Sequence, residues 1–442
     1  MNLDDLLENV SVIGAAGKMG SGISTLIAQE IAGLKIKNPE KTYRLNLIDV
    51  NEAGIDGLRT YIKNQLIKVA EKSIVALRQA YDSREDLVEN QEIIDAYVDE
   101  ALGVLRFDTD MNLARNSGLV FEAVIENEGL KTDILKQLQQ VCPDHTLFLT
   151  NTSSIPIGFL DEQAGLQGRI IGYHFYNPPI VQKLVEVISA ENTRSELKQL
   201  AAELGKRLRK KLIPSNDIAG FIGNGHFSRD GLLGISELLK LRDSHSFAGA
   251  VYIINRITQD FLVRPMGIFQ LIDYVGIDVF QSILRVMKKH LNNPELHSDL
   301  IDLLMKKNVR GGQRADGSQK DGFFQYDKNR MTGIYDLDRE TYVDIESLST
   351  DLNEKIGELP QEYLPWKKLM ANPEKDVLLS GYFKKLQEFE GMGAELAVNF
   401  LKQTKKIGEN LIEDGVAENQ KDVNDVLMNG FYWLYGPINE YV

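Results

Sequence analysis

The sequence predicts an α/β domain with a mostly parallel sheet over residues 1–212, followed by all-α domains over residues 213–330 and 345–442. Three observations carry that expectation. Short apolar runs alternate with helix-spaced segments through the first half of the chain. A glycine-rich loop lies between the first apolar run and the first helical one. Strand patterns nearly vanish after "KKLIPSNDIAGFIGN", where helical spacing takes over.

The elements follow in order. "NVSVIG" is a short apolar run ending in glycine, and "SGISTLIAQEIAG" carries Ile23, Leu26, Ile27 and Ile31 at helical spacing. "YRLNLIDV" is a second buried strand closing on Asp49. Strand, glycine loop, helix, strand is the order a dinucleotide-binding unit requires. A charged helical stretch covers about residues 51–100. "GLVFEAVIE" and "TLFLTNTS" then give strands on either side of the helical "GLKTDILKQLQQV", and "RIIGYHFY" and "KLVEVIS" continue the sheet. Farther on, "GLLGISELLKL" and "YIINRITQDFL" are helical. Residues 309–333, rich in Gly, Asp and Lys, read as a solvated loop. The chain is helical again from about residue 345. Residues 412–438 faintly echo residues 251–269, each an amphipathic helix running into aromatics and a Gly or Pro turn, which suggests a tandem repeat.

Composition narrows the function. A hydrophobic content of 43% with 26% charged residues is that of a soluble globular protein. The net charge of −14 argues against a nucleic-acid partner, which selects a basic face. It leaves room for an anionic ligand held by a few lysines or a helix N-terminus. Cys142 is the single cysteine, so no internal disulfide forms. It reads as a packing residue or a reactive thiol, and the absence of a nearby basic cluster favours packing. The first residues show no leader pattern, and no apolar run reaches the roughly 20 residues that span a bilayer. A cytoplasmic protein with no membrane partner is expected. The six histidines show no metal-ligand spacing, so no metal site is expected.

Four stretches could carry chemistry. In "VIGAAGKMGSG" the glycines fall as Gly14, Gly17 and Gly20, one residue wider than G-x-G-x-x-G. Asp49 stands at the strand end where a carboxylate accepts hydrogen bonds from an adenosine ribose and repels a 2′-phosphate, which points to NAD. It lies 29 residues beyond Gly20, against about 20 in the usual unit, so "KIKNPEKTY" reads as an insertion. Asp49 could equally just end a strand, and Lys37, Lys41 and Arg44 leave NADP open. "NTSS", Asn151 to Ser154, follows a strand, where small polar side chains face a ligand or cap the next helix. In "YHFYNPPIVQKLVEVI", His174 and Glu186 end one strand and occupy the next, with Asn177-Pro178-Pro179 as a rigid turn between them. A carboxylate on one ring nitrogen would fix the tautomer and leave the other as a base; a buried structural histidine is the bland alternative.

Together these pieces resemble the L-3-hydroxyacyl-CoA dehydrogenase family from the glycine loop to about residue 278, with a weaker echo beyond. That family carries "EAxxEN", "NTSS", "HFFNP", "KLVEV" and "GFxxNR" in order. This chain reads "EAVIEN", "NTSS", "HFYNP", "KLVEV" and "GFIGNG". Later, "RPMGIF" and "LYGPI" stand where the family tends to "PMGPF", and "GSQKDGFFQYD" resembles its "GxKxGxGFY" segment.

The resemblance implies a Rossmann-type NAD-binding domain followed by helical C-terminal domains, and an enzyme that oxidises (S)-3-hydroxyacyl-CoA reversibly to 3-ketoacyl-CoA. His174 is then the catalytic base, Glu186 its orienting carboxylate, and Ser153 and Asn224 the groups holding the substrate's 3-oxygen. Gly14, Gly17, Lys18, Met19, Gly20, Asp49, Glu126, Lys131 and Asn151 fall at cofactor positions, and Lys72 where the family places a CoA-contacting lysine. The expected partners are an acyl-CoA substrate and other β-oxidation enzymes. The chain is expected as a monomer or homodimer, with residues 350–442 packed on residues 215–330 in the place of a second subunit. The extra loop residue predicts weak NAD affinity, and "GFIGNGH" departs from the family's Arg after Asn224. Two other readings stay open: a related dehydrogenase of a hydroxy or sugar acid without CoA, and a non-catalytic NAD-binding protein.

Overall fold

The computed structural model describes residues 2–314 and 317–442; residues 315 and 316 of the expected loop at 309–333 lie outside the described residues. The chain divides into two compact units, one ending at Asp217 and one running from Ile218 to Val442.

In the first unit, among the described residues, eight strands form one sheet: β1 (Asn9–Ile13), β2 (Arg44–Ile48), β3 (Leu105–Asp108), β4 (Leu119–Glu122), β5 (Leu147–Thr150), β6 (Ile170–Phe175), β7 (Leu184–Ser189) and β8 (Lys211–Asn216). Their order is β3-β2-β1-β4-β5-β6-β7-β8, parallel throughout except between β6 and β7. Flanking helices are α1 (Leu3–Leu6), α2 (Lys18–Lys37), α3 (Glu52–Lys72), α4 (Ile74–Ala80), α5 (Asn90–Gly103), α6 (Glu128–Val141), α7 (Ile157–Ala164) and α8 (Ser195–Arg207). Helical cover on the sheet explains why β4 and β5 are buried along their whole length, and apolar up to their last residues Glu122 and Thr150, rather than alternating. β1 lies between β2 and β4, so strand order reverses there and a crevice opens beyond the carboxyl ends of β1 and β4. The expected boundary after residue 212 falls inside β8, which carries the sheet on to Asn216. Asp217 then caps α7 by accepting from the Ile157 and Gly158 amides. The expected insertion before β2 is partly helical, because α2 runs to Lys37.

The second unit holds α9 (Gly223–Leu241), α10 (Phe247–Arg256), a π-helical turn at Ile257–Phe261, α11 (Ile268–Val275), α12 (Ile277–His290) and α13 (Asp299–Lys306). After the sheet described next come α14 (Ile345–Ile356), α15 (Trp366–Leu369), α16 (Lys375–Glu388), α17 (Met392–Glu413) and α18 (Gln420–Gly430). Part of the segment expected as loop is instead sheet: β9 (Phe324–Asp327), β10 (Arg330–Asp336) and β11 (Thr341–Asp344) pair antiparallel in the order β11-β10-β9. These strands are short and largely polar. A buried carboxylate on α11 pins their start, for Asp273 accepts from the Phe323 and Phe324 amides (2.7 and 2.8 Å) and the Tyr326 hydroxyl (3.1 Å).

Residues 350–442 pack onto the earlier helices of this unit. One apolar cluster joins Ile253, Ile257, Phe261 and Leu262 to Leu379, Phe383, Phe400 and Leu401. The Tyr382 and Tyr435 hydroxyls donate to the Phe261 and Leu262 carbonyls (2.9 and 2.7 Å). Arg264 bridges to Asp230 at 2.8 Å and lies 3.8 Å over the Trp433 ring, while the Thr404 hydroxyl also donates to Asp230. A shared core of this kind makes one unit of what the repeat divides in two.

No helix among the described residues is long and apolar enough to cross a membrane. Among them no group of three His, Cys, Asp or Glu could hold a metal ion. Cys142 is buried, and that burial pushes its thiol up to about 11, which suits packing.

Candidate active site

The glycine loop fills the crevice beside β1. Gly14 leaves the strand with φ +77°, and a Cβ there would lie 2.8 Å from the Ala123 carbonyl oxygen just past β4. Gly17 is the N-cap of α2 and offers no side chain to its amides. At Gly20 a Cβ would fall 2.0 Å from the Gly14 oxygen, so only glycine lets the helix approach the loop this closely. Lys18 is exposed and Met19 half-buried in the first turn. First-turn amides have no acceptor within the helix, so a bare helix start of this kind favours an anion.

The extra residue is accommodated by Asp49. The Gly14 and Ala15 amides both donate to the Ile48 carbonyl (2.9 and 3.1 Å), and the Gly17 amide donates back to Gly14 (3.1 Å). Ala16 donates to Asp49 Oδ2 at 2.9 Å, while the Asn51 amide donates to Oδ1 at 3.0 Å. The carboxylate thus holds the widened turn as well as facing the crevice. Arg44 opens β2 at the opposite end from Asp49, and Lys41 pairs there with Glu8 at 2.6 Å. Lys37 ends α2, away from the loop. None of these cations stands beside Asp49.

A buried charge relay lies on the other side of the crevice. Glu122 ends β4, and Lys131 on α6 donates to both its oxygens (2.8 and 3.0 Å), with side-chain exposures of 0% and 1%. Thr150 at the end of β5 adds a hydroxyl at 2.6 Å. Lys131 also lies 3.6 Å from Glu126. Burial works against the charged forms of both. For Lys131 the two carboxylates outweigh it and hold the ammonium above its usual range. For Glu126 the Lys131 charge and the hydroxyls of Ser154 and Thr152 outweigh it, holding the carboxyl below its usual range. Glu126 Oε1 gathers the "NTSS" turn, accepting from the Thr152 hydroxyl (2.8 Å), the Ser153 amide and hydroxyl (2.9 and 3.2 Å) and the Ser154 amide and hydroxyl (2.9 and 2.8 Å). Asn151 ties this turn to the next strand, its side-chain oxygen accepting from the Phe175 amide at 2.8 Å.

His174 and Glu186 face one another because β6 and β7 pair antiparallel in a register that sets them opposite. His174 Nδ1 stands 3.2 Å from Glu186 Oε2. The carboxylate is fully buried and the imidazole nearly so. Tyr176 donates its hydroxyl to the same Oε2 at 3.0 Å. The connecting turn is held by Lys210, whose ammonium donates to the Pro179 and Gln182 carbonyls (2.5 and 2.6 Å). Pro179 in turn packs against Gly22 in the first turns of α2.

The residues expected from the sequence therefore fall into three contact sets of the first unit: Gly14, Gly17, Gly20 and Asp49; Glu126, Lys131, Asn151 and Ser153; His174 and Glu186. Lys131 is enclosed beneath the crevice rather than presented to it. Lys72 is exposed at the end of α3. Asn224 belongs to the second unit, half-buried in the first turn of α9. Sequence reasoning omitted Glu122, Thr150 and Tyr176, and named Thr152 and Ser154 only as part of "NTSS". Glu122 was legible in "EAVIEN" as an acid closing an apolar strand, and Tyr176 as the tyrosine of "HFYNP".

Comparison with known proteins fits this geometry. The sequence model of the 3-hydroxyacyl-CoA dehydrogenase NAD binding domain matches residues 9–218, and that of the family's C-terminal domain matches residues 248–325. A probable 3-hydroxybutyryl-CoA dehydrogenase of Bacillus subtilis is 30% identical over 324 residues, 72% of this chain and 97% of that one. The glyoxysomal fatty acid β-oxidation multifunctional protein MFP-a of Cucumis sativus is 27% identical over 368 residues, 80% of this chain and 43% of that one. In fold, the crystal structure of 3-hydroxybutyryl-CoA dehydrogenase from Escherichia coli matches 98% of this chain and 90% of its own, with a TM-score of 0.63 at 20% identity. With its NAD-binding sheet, its glycine loop and these matches over both regions, the chain belongs to the 3-hydroxyacyl-CoA dehydrogenase family.

Proposed function

We propose that the protein oxidises (S)-3-hydroxyacyl-CoA reversibly to 3-ketoacyl-CoA with NAD, and that His174 is the base. The single observation supporting this most is the His174–Glu186 pair at the end of the sheet that carries the glycine loop.

The crevice suits the cofactor. Its loop is so close to α2 that a Cβ at Gly20 would strike backbone, and the helix start is bare of side-chain caps. Gly14, Gly17, Lys18, Met19 and Gly20 would hold the pyrophosphate. Asp49 would take the adenosine ribose, and the placement of Lys37, Lys41 and Arg44 away from it favours NAD over NADP. Bound there, NAD supplies the hydride acceptor. Glu126 would stand near it, with Lys131 and Asn151 acting from behind by holding Glu122, Glu126 and the "NTSS" turn in place.

The proton is the protein's task. Glu186, an acceptor only, accepts a hydrogen bond from Nδ1–H, so Nε2 carries the lone pair. Nε2 accepts the proton of the 3-hydroxyl during oxidation and returns it during reduction, with Glu186 balancing the charge of the imidazolium. Ser153, oriented by Glu126, is the proposed donor to the 3-oxygen; the same role for Asn224 rests on the family resemblance alone. Removing the base costs about 10²–10⁴-fold in rate.

The test is NADH absorbance with 3-hydroxybutyryl-CoA, longer hydroxyacyl-CoAs and the free hydroxy acids, on the parent and on His174→Ala. CoA-dependent turnover that collapses in the variant is expected. Equal turnover of the free acids would reject the substrate class, and an unchanged His174→Ala rate would reject the base.

A further inference from the structure

We infer that Tyr176 is a positioning residue that tunes the proposed base, by sharing the carboxylate oxygen that His174 Nδ1 meets. This rests on the reading of His174 and Glu186 given above. The family motif carries a second phenylalanine at this place, "HFFNP", whereas this chain has "HFYNP". The added hydroxyl is not idle. It donates to Glu186 Oε2 at 3.0 Å, closer than His174 Nδ1 at 3.2 Å, and the two rings lie side by side with centroids 4.7 Å apart. Burial, with the Glu186 charge beside it, holds the phenol well above its usual range, so it remains a donor throughout any ordinary assay.

Two consequences follow from one oxygen accepting two donors. The phenol fixes the carboxylate rotamer, so the imidazole meets an acceptor already in place. It also withdraws charge from that oxygen, and a less concentrated charge stabilises an imidazolium less. With Tyr176 present, Glu186 therefore stabilises the imidazolium less than it would with a phenylalanine in that place. Three ionisable groups on neighbouring elements are engaged elsewhere. Glu126 is bound up with residues 152–154, Asp217 caps α7, and Lys210 lies 6.0 Å over the Phe175 ring while holding two carbonyls. The residue facing Glu186 from β8 is Ile213.

The experiment is the pH profile of kcat/KM in both directions for the parent, Tyr176→Phe, Glu186→Gln, the double variant and His174→Ala. In Tyr176→Phe the acidic limb of oxidation should move up by about 0.5–1 pH unit. The basic limb of ketoacyl-CoA reduction should move up by the same amount, because both report the same proton. Substrate KM should stay within about twofold, since the Tyr176 hydroxyl is directed to Glu186. Replacing Tyr176 with a fluorinated tyrosine, a stronger donor, should move both limbs down. The Phe effect should vanish in the Glu186→Gln background. A general loosening of the site would lower rates without moving both limbs the same way. Profiles unmoved in Tyr176→Phe and in the fluorotyrosine protein, with His174→Ala inactive, would overturn this inference alone. A fully active His174→Ala protein would overturn the base assignment and this inference with it.

Discussion

Replacing Lys131 with methionine removes the charge that makes a buried carboxylate tolerable. Glu122 has no exposed side-chain surface, and Lys131 supplies a charged contact to each of its oxygens, at 2.8 and 3.0 Å. After Lys131→Met, Glu122 keeps the Thr150 hydroxyl and the Val124 amide but no cation. Breaking one side of a buried pair costs about 3–5 kcal/mol, because the remaining charge stays in a medium that solvates it poorly. For a unit of this size 1 kcal/mol corresponds to about 2–4 °C, so the melting temperature should fall by on the order of 10 °C. Glu122→Gln/Lys131→Met removes the stranded charge and should recover at least about 2 kcal/mol of that loss. Trp366 and Trp433 both lie in the second unit, so the first unit is best followed by hydrogen exchange in β4 and β5. The "NTSS" turn should loosen as well, since Glu126 loses its counter-ion. A Lys131→Met loss under about 1 kcal/mol, or a double variant no better than the single one, would refute the account of Lys131 as the counter-charge.

Gly20→Ala places a methyl 2.0 Å from the Gly14 oxygen and should weaken NADH binding at least about tenfold by fluorescence titration. Gly33→Ala, on the same helix with nothing within 4 Å of its Cβ, should keep affinity and gain about 0.5–1 kcal/mol in stability. Equal NADH affinity in the two variants would count against the close-approach argument. Burial of His226 holds its ring at about 4, below the ordinary 6.5, although the Asp230 charge opposes this. Between those values the unfolded chain binds the proton first, so this contribution is complete above 6.5 and is lost as pH falls toward 4. By pH 5 the second unit should have lost about 2 kcal/mol, and His226→Phe should remove that slope in paired denaturant titrations at pH 7 and 5. A parent and variant with parallel pH dependence would show that His226 does not supply it.

What was legible in the chain follows from the range of the forces involved. The order of strand, glycine loop and helix is a local pattern, and β1, α2 and β2 lie where the periodicity of residues 9–48 places them. The pairing of His174 with Glu186 was legible because a short turn separates them and the antiparallel ladder does the rest. The Ala16–Asp49 bond joins an amide and a carboxylate 33 residues apart, and no periodicity announces it. Glu122 was overlooked because "GLVFEAVIE" carries its acids inside what reads as one strand, and its partner Lys131 occupies a helix that looks merely amphipathic. The sheet of residues 324–344 escaped notice because its short strands carry charges and glycine, and part of its order comes from Asp273, more than 50 residues upstream of its centre. The sheet runs past the expected boundary at residue 212 because Pro214 lies in β8 at the edge of the sheet, where a missing amide is tolerated.

The antiparallel hairpin of β6 and β7 has a bearing on how active molecules can be counted. His174 meets Glu186 in only one alignment of the two strands. A slip of one residue would set it against Val185 or Val187 and turn the two side chains to opposite faces. A slip of two would restore the face but offer Leu184 or Ile188, neither of which can take a proton. Turnover recovered after dilution from denaturant would then be a yes-or-no record of strand alignment in each molecule. Circular dichroism, which weighs all alignments alike, would recover first wherever the two strands pair before they pair correctly.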